Sequence, residues 1–393
     1  MKICFISHDS GLQGAEMALL ELAVNLRQHK GHDVHIILPS RQGGLKERLD
    51  QAGINSTVIP YKWWMGSDKQ VPARAFARTL YNGVASARLA WMLRKQHFDI
   101  IYSNSITVNV GALAAFFLSI PHVWHIHEFA MFAKEDFFLK FDLNENFSYR
   151  IMGRLSDAFV VVSEALWKKY KDVLPKEKLY RIYQSISVRT NNGNAKIDIP
   201  AGERPNCAVV GKIQRGKHQE DAVLAVAALA RRGIFIKLWL IGNGDSCYIQ
   251  YLKQLIVEHD IAKQVKFTGF VDNPFNTIKQ MDFCIICSSE AFGRVAVEAM
   301  LCGKPVIGAK AGATEELIHE GFNGLLYEFE NAEDLADKIM LLVNEPELSQ
   351  QIGNNAEVWA HENFSVSRYI DEIDDLLRSV QQAFNNRSRS NYQ

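Results

Sequence analysis

Two glutamates with seven residues between them, Glu290 and Glu298, bracket Phe292-Gly293 in the run SSEAFGRVAVE that starts at Ser288. Carboxylates accept hydrogen bonds, so a pair flanking one turn suits the hydroxyls of a sugar or a ribose. The pattern predicts that Glu290 follows a strand and that Gly293 opens a helix with Glu298 about one turn in. The amides of Phe292, Gly293, Arg294 and Val295 would then lack intrahelical acceptors. Such a helix start receives an anion or a hydroxyl-rich ligand. A capped helix with solvated acids is the plainer alternative, and it accounts for one glutamate better than for two.

Other reactive residue types fall in weaker patterns. His125 and His127 share one strand face with Glu128 next in line, which leaves a metal site open beside a core or hydrogen-bonded role. Cys284 and Cys287 are three apart on a strand and so point to opposite faces. They read as buried small hydrophobes, not as a zinc or disulfide pair.

Strand–helix alternation must position these groups. Apolar runs at 3–7, 34–38, 56–59, 100–102, 122–126 and 158–162 are separated by stretches of helical periodicity. Asn191-Asn192-Gly193-Asn194, Pro200, Gly202 and Pro205 interrupt the pattern with turn formers. Apolar runs resume at 207–210, 235–241, 265–267, 283–287, 305–308 and 325–327. Alternation of this kind predicts parallel sheets covered on both faces, hence an α/β fold of two Rossmann-like domains facing a central cleft. The expected boundaries are 1–185 for the first domain, 186–204 for a linker and 205–364 for the second domain. A helix over 365–384 is placed so that it could pack back on the first domain, and 385–393 reads as a disordered tail.

The segment 288–308 resembles the donor-site pattern of the retaining glycosyltransferases of family 4. It has Glu, seven residues and Glu, with Phe-Gly after the first and Glu-Ala-Met-x-x-Gly-x-Pro-Val-Ile at the end. Further segments share the resemblance. Val209-Val210-Gly211-Lys212-Ile213 with Lys217 is similar to the family's strand and loop whose two bases hold the donor diphosphate, although Lys212 replaces the commoner Arg and His218 the usual Gly. Leu240-Ile241-Gly242-Asn243-Gly244 and Phe267-Thr268-Gly269-Phe270 resemble strand ends around the nucleotide base, and Gly312 to Glu316 the next donor-side loop. In the first half, Gly11 to Glu16 resembles the loop that brings amides to the diphosphate, with Gly14 as the contact, and His127 matches the family's histidine before an acid.

The resemblance implies the GT-B architecture and a retaining transfer of a hexose from a nucleotide diphosphate sugar to a hydroxyl of a glycan or lipid-linked acceptor, in polysaccharide or glycoconjugate biosynthesis. UDP is the favoured nucleotide and GDP is open. It implies Glu290, His127, Lys217 and Lys212 as catalytic groups. Donor contacts would come from Gly14, Lys212, Lys217, Gly242, Phe270, Glu290, Phe292, Gly293, Arg294, Val295 and Glu298. Two cations would be worth more in the transition state, where the leaving diphosphate gains charge, than in the ground state. No Asp-x-Asp occurs, so metal independence is expected and no cofactor is implied. A nucleotide-sugar epimerase on the same architecture, or a two-domain protein that only clamps its sugar, are the alternative readings.

Composition narrows the setting. Of 393 residues, 48% are hydrophobic and 22% charged, and 44 basic residues balance 44 acidic ones. That balance fits a globular protein and rules out a chain-wide basic field for nucleic acid. No apolar run reaches the ~20 residues of a bilayer span. Six cysteines without framework spacing fit a reducing compartment, so the chain reads as cytoplasmic. The segment 61–98 departs from the overall balance, with seven basic residues, one acid and seven aromatics. Arg74, Arg78, Trp63 and Trp64 make it a candidate for docking to an anionic membrane surface on its inner face or to a lipid-linked phosphate. A packed helix with a solvated basic face fits equally well.

Overall fold

A computed structural model describes residues 1–12, 14–66, 72–129, 140–186, 204–271 and 273–390. The chain divides into two compact units, one of 1–185 with 366–393 and the other of 186–365. Most of the expected linker, 187–203, lies outside the described residues, as does Gln13.

The first unit begins β1 (Lys2–Ser7), α1 (Gly14–Lys30), β2 (Asp33–Leu38), α2 (Leu45–Gln51), β3 (Asn55–Val58), β4 (Met65–Gly66) and α3 (Pro72–Leu93). It continues with β5 (Ile100–Asn104), α4 (Val110–Leu118), β6 (His122–Ile126), β7 (Lys140–Phe141), α5 (Glu145–Leu155), β8 (Ala158–Val161), α6 (Glu164–Tyr170) and β9 (Leu179–Arg181). The second unit runs β10 (Asn206–Val210), α7 (Gln219–Arg231), β11 (Lys237–Ile241), α8 (Ser246–Glu258), β12 (Val265–Gly269), α9 (Phe275–Ile278) and β13 (Phe283–Ile286). Then come α10 (Arg294–Met300), β14 (Val306–Ala309), α11 (Thr314–Leu317), β15 (Leu325–Tyr327), α12 (Ala332–Asn344) and α13 (Pro346–Asn363). A last helix, α14 (Val366–Ser390), returns to the first unit.

The strands are continuous apolar runs because both faces are covered; β5, β6, β8 and β13 are buried at every position. Side-chain caps start several helices. Ser163 Oγ accepts from the Leu166 amide at 3.1 Å to begin α6, and Asp245 from the Tyr248 amide at 2.8 Å to begin α8. The first unit holds a sheet of order β3-β2-β1-β5-β6-β8-β9 and the second one of order β12-β11-β10-β13-β14-β15, with parallel pairing throughout both.

Both orders reverse direction once, between β1 and β5 and between β10 and β13. Loops leaving the carboxyl ends of those paired strands turn to opposite faces of the sheet and open a crevice, the usual ligand position in open α/β sheets.

Helix α14 buries Tyr369, Ile370, Ile373 and Leu377 in the core that holds Leu19, Leu22 and Leu26 of α1. Asp374 Oδ1 accepts from buried His32 Nε2 at 2.7 Å. Burial holds His32 below its ordinary pKa, so the ring is neutral and donates as one tautomer. Of the tail expected at 385–393, residues 385–390 continue α14 as far as Ser390, and 391–393 lie outside the described residues. Extending an existing helix adds a hydrogen bond for each residue fixed, and Arg387 ties this stretch to Asp157 through an ion pair.

Ile373→Ala should lower the stability of the first unit by about 2–5 kcal/mol, because the residue is fully buried. Chemical denaturation followed by a fluorophore in each unit checks this, with the second unit's transition unchanged.

Candidate functional site

In the second unit the crevice at the ends of β10 and β13 is a cavity of about 140 Å³, lined by Gly211, Lys212, Lys217, Gln219, Ser288, Glu290 and Gly293 to Val295. Glu290 organises it. Its Oε1 accepts from Lys217 Nζ at 2.5 Å and from Ser288 Oγ at 2.6 Å, which leaves Oε2 open to another donor. Burial pushes the Glu290 carboxyl up, but the Lys217 charge and the two hydrogen bonds outweigh it and hold the group below its ordinary value. Its backbone is pinned as well: the Ala313 amide donates to Glu290 O at 2.7 Å.

The expected donor contacts fall into separate places. Gly293 precedes α10 at φ 79°, a left-handed conformation, and its Cα faces Leu317 so closely that a Cβ would lie 2.7 Å from that side chain. The Gly293, Arg294 and Val295 backbone therefore borders the cavity at a helix start. Lys212 is exposed, and its carbonyl accepts from Gln219 Nε2 at 2.9 Å. Gln219 Oε1, beside the cavity, is buried with no hydrogen-bond partner among the described residues. Gly242, at φ 145°, packs so that a Cβ would meet Gly211 O at 2.0 Å, so it shapes the cavity wall from behind. Phe270 is 70% exposed, away from the cavity lining. Phe292 is buried edge-on against Phe364, at 5.9 Å between ring centroids. Glu298 also lies off the cavity lining, buried, with Oε1 on Arg294 Nε at 2.9 Å. His218 takes φ 48° at the start of α7, the conformation that glycine adopts without strain.

In the first unit the crevice between β1 and β5 is built differently. Gly14 opens α1, exposed, with nothing within 4 Å of where a Cβ would stand. His127 has both ring nitrogens engaged. Asn104 Nδ2 donates to the Ala15 carbonyl at 3.0 Å, so its Oδ1 faces His127 Nε2, at 2.7 Å, and requires that nitrogen to donate. His127 Nδ1 then accepts from Gln184 Nε2. Burial drives the His127 pKa well below its ordinary value, so the imidazole is neutral. Its resting role is a fixed hydrogen-bonding post.

His125 Nδ1 lies 2.9 Å from Tyr102 Oη, its Nε2 has no hydrogen-bond partner among the described residues, and burial lowers its pKa to about 3. Glu128 instead accepts from the Ser105 hydroxyl and from the amides of Ile106 and His127 at 3.1 and 3.0 Å. It clamps the turn after β5, where Ser105 is held at a strained φ of 112°. Among the described residues no three His, Cys, Asp or Glu side chains are grouped to hold a metal ion. Cys284 and Cys287 are buried free thiols, and burial raises the pKa of both, Cys284 to about 12.

Two docking candidates are corrected. Trp64 is 2% exposed, with its indole N–H on the Ile106 carbonyl at 2.8 Å, because its ring fills the space beside Trp124 and Phe141. Arg78 turns inward to a bidentate ion pair with Asp142. Trp63 is half-buried, its N–H on the His8 carbonyl at 2.8 Å, whereas Arg74 is exposed. No helix among the described residues is long and apolar enough to cross a membrane.

Sequence reasoning passed over Asn104, Gln184, Ser288, and the pair His8–Glu16. Glu16 is buried on α1, 3.1 Å from His8 Nε2, and Glu16 Oε2 and His8 Nδ1 have no hydrogen-bond partner among the described residues. Glu16 was visible as the acid of the Gly11–Glu16 loop, and Ser288 as the hydroxyl two residues before Glu290. Asn104 and Gln184 carry no local signal, since they are 23 and 57 residues from His127 in the chain.

Two α/β units, each built on a parallel sheet and one with a crevice lined by lysines and a half-open carboxylate, form the build of a protein that grips an anionic, hydroxyl-rich ligand. Comparison with known proteins gives the class. Residues 195–359 match the family Glycosyl transferases group 1, and residues 12–189 match Glycosyltransferase Family 4. An uncharacterized glycosyltransferase of Methanocaldococcus jannaschii is 27% identical over 68% of this chain and 71% of its own length. The N-acetyl-alpha-D-glucosaminyl L-malate synthase of Bacillus anthracis is 27% identical over 57% of this chain and 60% of that enzyme. Anabaena HepE, solved in complex with UDP, superimposes with a TM-score of 0.78 at 24% identity, covering 96% of this chain and all of that one. HepE has also been solved with UDP-glucose. The chain belongs to the group 1 glycosyltransferases of family 4, and its fold is GT-B.

Lys217→Met should move the Glu290 carboxyl from below to above its ordinary pKa, since burial then acts with only the Ser288 hydrogen bond against it. A carboxyl-carbon NMR titration reads this. In the unsubstituted protein the depressed pKa means that the stabilisation from this pair is present above the unfolded value and is lost as pH falls through the folded one.

Proposed function

We propose that the protein transfers a hexose from UDP-sugar to a hydroxyl of a glycan or lipid-linked acceptor in the cytoplasm, with retention at the anomeric carbon and without a metal ion. The observation that carries this reading is the lysine-lined cavity at the β10–β13 crevice, where Glu290 keeps one oxygen open. UDP is favoured over GDP because HepE, of the same fold, binds UDP and UDP-glucose.

In this reading Lys217 and Lys212 hold the diphosphate. Their attraction grows as the bond from the anomeric carbon to the diphosphate oxygen breaks and its electron pair moves onto that oxygen. Glu290 Oε2 accepts from a sugar hydroxyl. A carboxylate already neutralised by an ammonium and a hydroxyl is a weak nucleophile, which favours attack by the acceptor oxygen itself on the leaving-group face. The acceptor proton then passes to the departing diphosphate. The amides near Gly14 are assigned to the diphosphate. His127 is assigned to the sugar and acceptor side, as a neutral hydrogen-bonding group. Arg294 borders the site, and Glu298 would reach a ribose through it. An epimerase would need no acceptor, and a clamp would give no turnover.

Lys217→Ala should lower kcat by about 10²–10³-fold, with Glu290→Ala comparable and the fold intact by circular dichroism. Near-normal rates in both would defeat the assignment. Initial rates with UDP-glucose should be the same in excess EDTA as in Mg²⁺; activity lost to chelator and restored by Mg²⁺ or Mn²⁺ would refute metal independence.

A further inference from the structure

Helix α3 packs one face into the first unit through Ala75, Ala85, Leu89 and Leu93, and leaves the other face open. That open face is apolar where solvent-facing helices are usually polar. Phe76, Leu80, Val84 and Trp91 are 73, 63, 65 and 64% exposed. At 100° per residue they fall within an arc of about 80°, a single stripe along the helix. Arg88, exposed, comes next around the helix on one side, Lys95 stands exposed in the turn just past the helix end, and the Arg94 guanidinium sits 5.0 Å over the Trp91 ring. From 72 to 98 the sequence has no acidic residue. Helix α4, which packs along α3, exposes Phe116 and Phe117 in addition.

We propose that this face of α3 is a docking surface for an anionic lipid bilayer, in which the Phe76–Trp91 stripe enters the interface and Arg88 and Lys95 bind the lipid phosphates. Charge complementarity selects this occupant. A stripe bordered by cations and free of acids is attracted to a negatively charged leaflet, whereas a second copy of the same face would bring like charges together. An aromatic with a cation over its ring is also suited to the headgroup level, where the ring is apolar on one side and wet on the other. The surface differs from the one that residue types alone suggested, because Trp64 and Arg78 face inward. It extends the proposed function by naming the partner on the acceptor-bearing side, and it stands on exposure and charge independently of the donor chemistry.

Co-sedimentation with phosphatidylcholine vesicles, with and without phosphatidylglycerol, tests it. Unsubstituted protein should bind only the anionic vesicles, and less as salt rises. Arg88→Gln with Lys95→Gln should weaken partitioning about 30-fold, and Phe76→Ser with Trp91→Ser should abolish it. Both variants should keep the UDP-induced thermal shift, which reports the donor cavity separately. Equal binding to neutral vesicles, no binding to either, or loss of a dimer in the Phe76→Ser/Trp91→Ser variant would each overturn the proposal.

Discussion

The ion pair between Lys217 and Glu290 sets the character of the donor-side crevice. Glu290 sits in a half-buried position where burial pushes its carboxyl pKa up, and the ammonium at 2.5 Å, with the Ser288 hydroxyl, holds it below the ordinary value instead. One oxygen is consumed by this pairing and by Ser288, while the other faces an incoming hydroxyl. The lysine is held beside the cavity by the carboxylate it stabilises. Each group thus fixes the other where a ligand carrying both phosphate and hydroxyls would need it. The amide of Ala313 holds the Glu290 backbone, so the geometry does not depend on the side chains alone.

Topology explains why the pair lies where it does. Reversal of strand order between β10 and β13 sends their following loops to opposite faces, and Lys217 and Glu290 stand on those two loops. The first unit repeats the reversal between β1 and β5 with another result. There the polar groups are largely satisfied internally: His127 by Asn104 and Gln184, and Glu128 by a hydroxyl and two amides. Among the described residues, His8, Glu16 and His125 each keep a buried atom without a hydrogen-bond partner there. One switch point is organised around a site with an open acceptor, the other around a rigid hydrogen-bonded wall.

The surface of α3 follows a different logic. A chain with equal numbers of acids and bases collects cations and exposed aromatics on one helix, although the packing of that helix is already supplied by its alanines and leucines. Arg78, in the same helix, spends its charge on Asp142 inside the unit. Position around the helix therefore separates a structural arginine from those facing solvent.

Strand–helix alternation, the two α/β halves and the Glu290–Glu298 segment were legible in the sequence because each is a local pattern of one or two turns or a short strand. Lys217 and Gly293, named from patterns of the same kind, line the cavity. Glu298 and Phe270 were named by pattern but lie off the cavity, since periodicity gives an element's residues and not which of them meets the lining. The sequence by itself determined the element types and the chemistry available. Only the tertiary structure decided that Lys217 meets Glu290 across 73 residues of chain, that Asn104 and Gln184 hold His127, and that Trp64 and Arg78 turn inward. These are long-range contacts, set by strand order and by the side of each helix that finds a core, and no short window of residues encodes either.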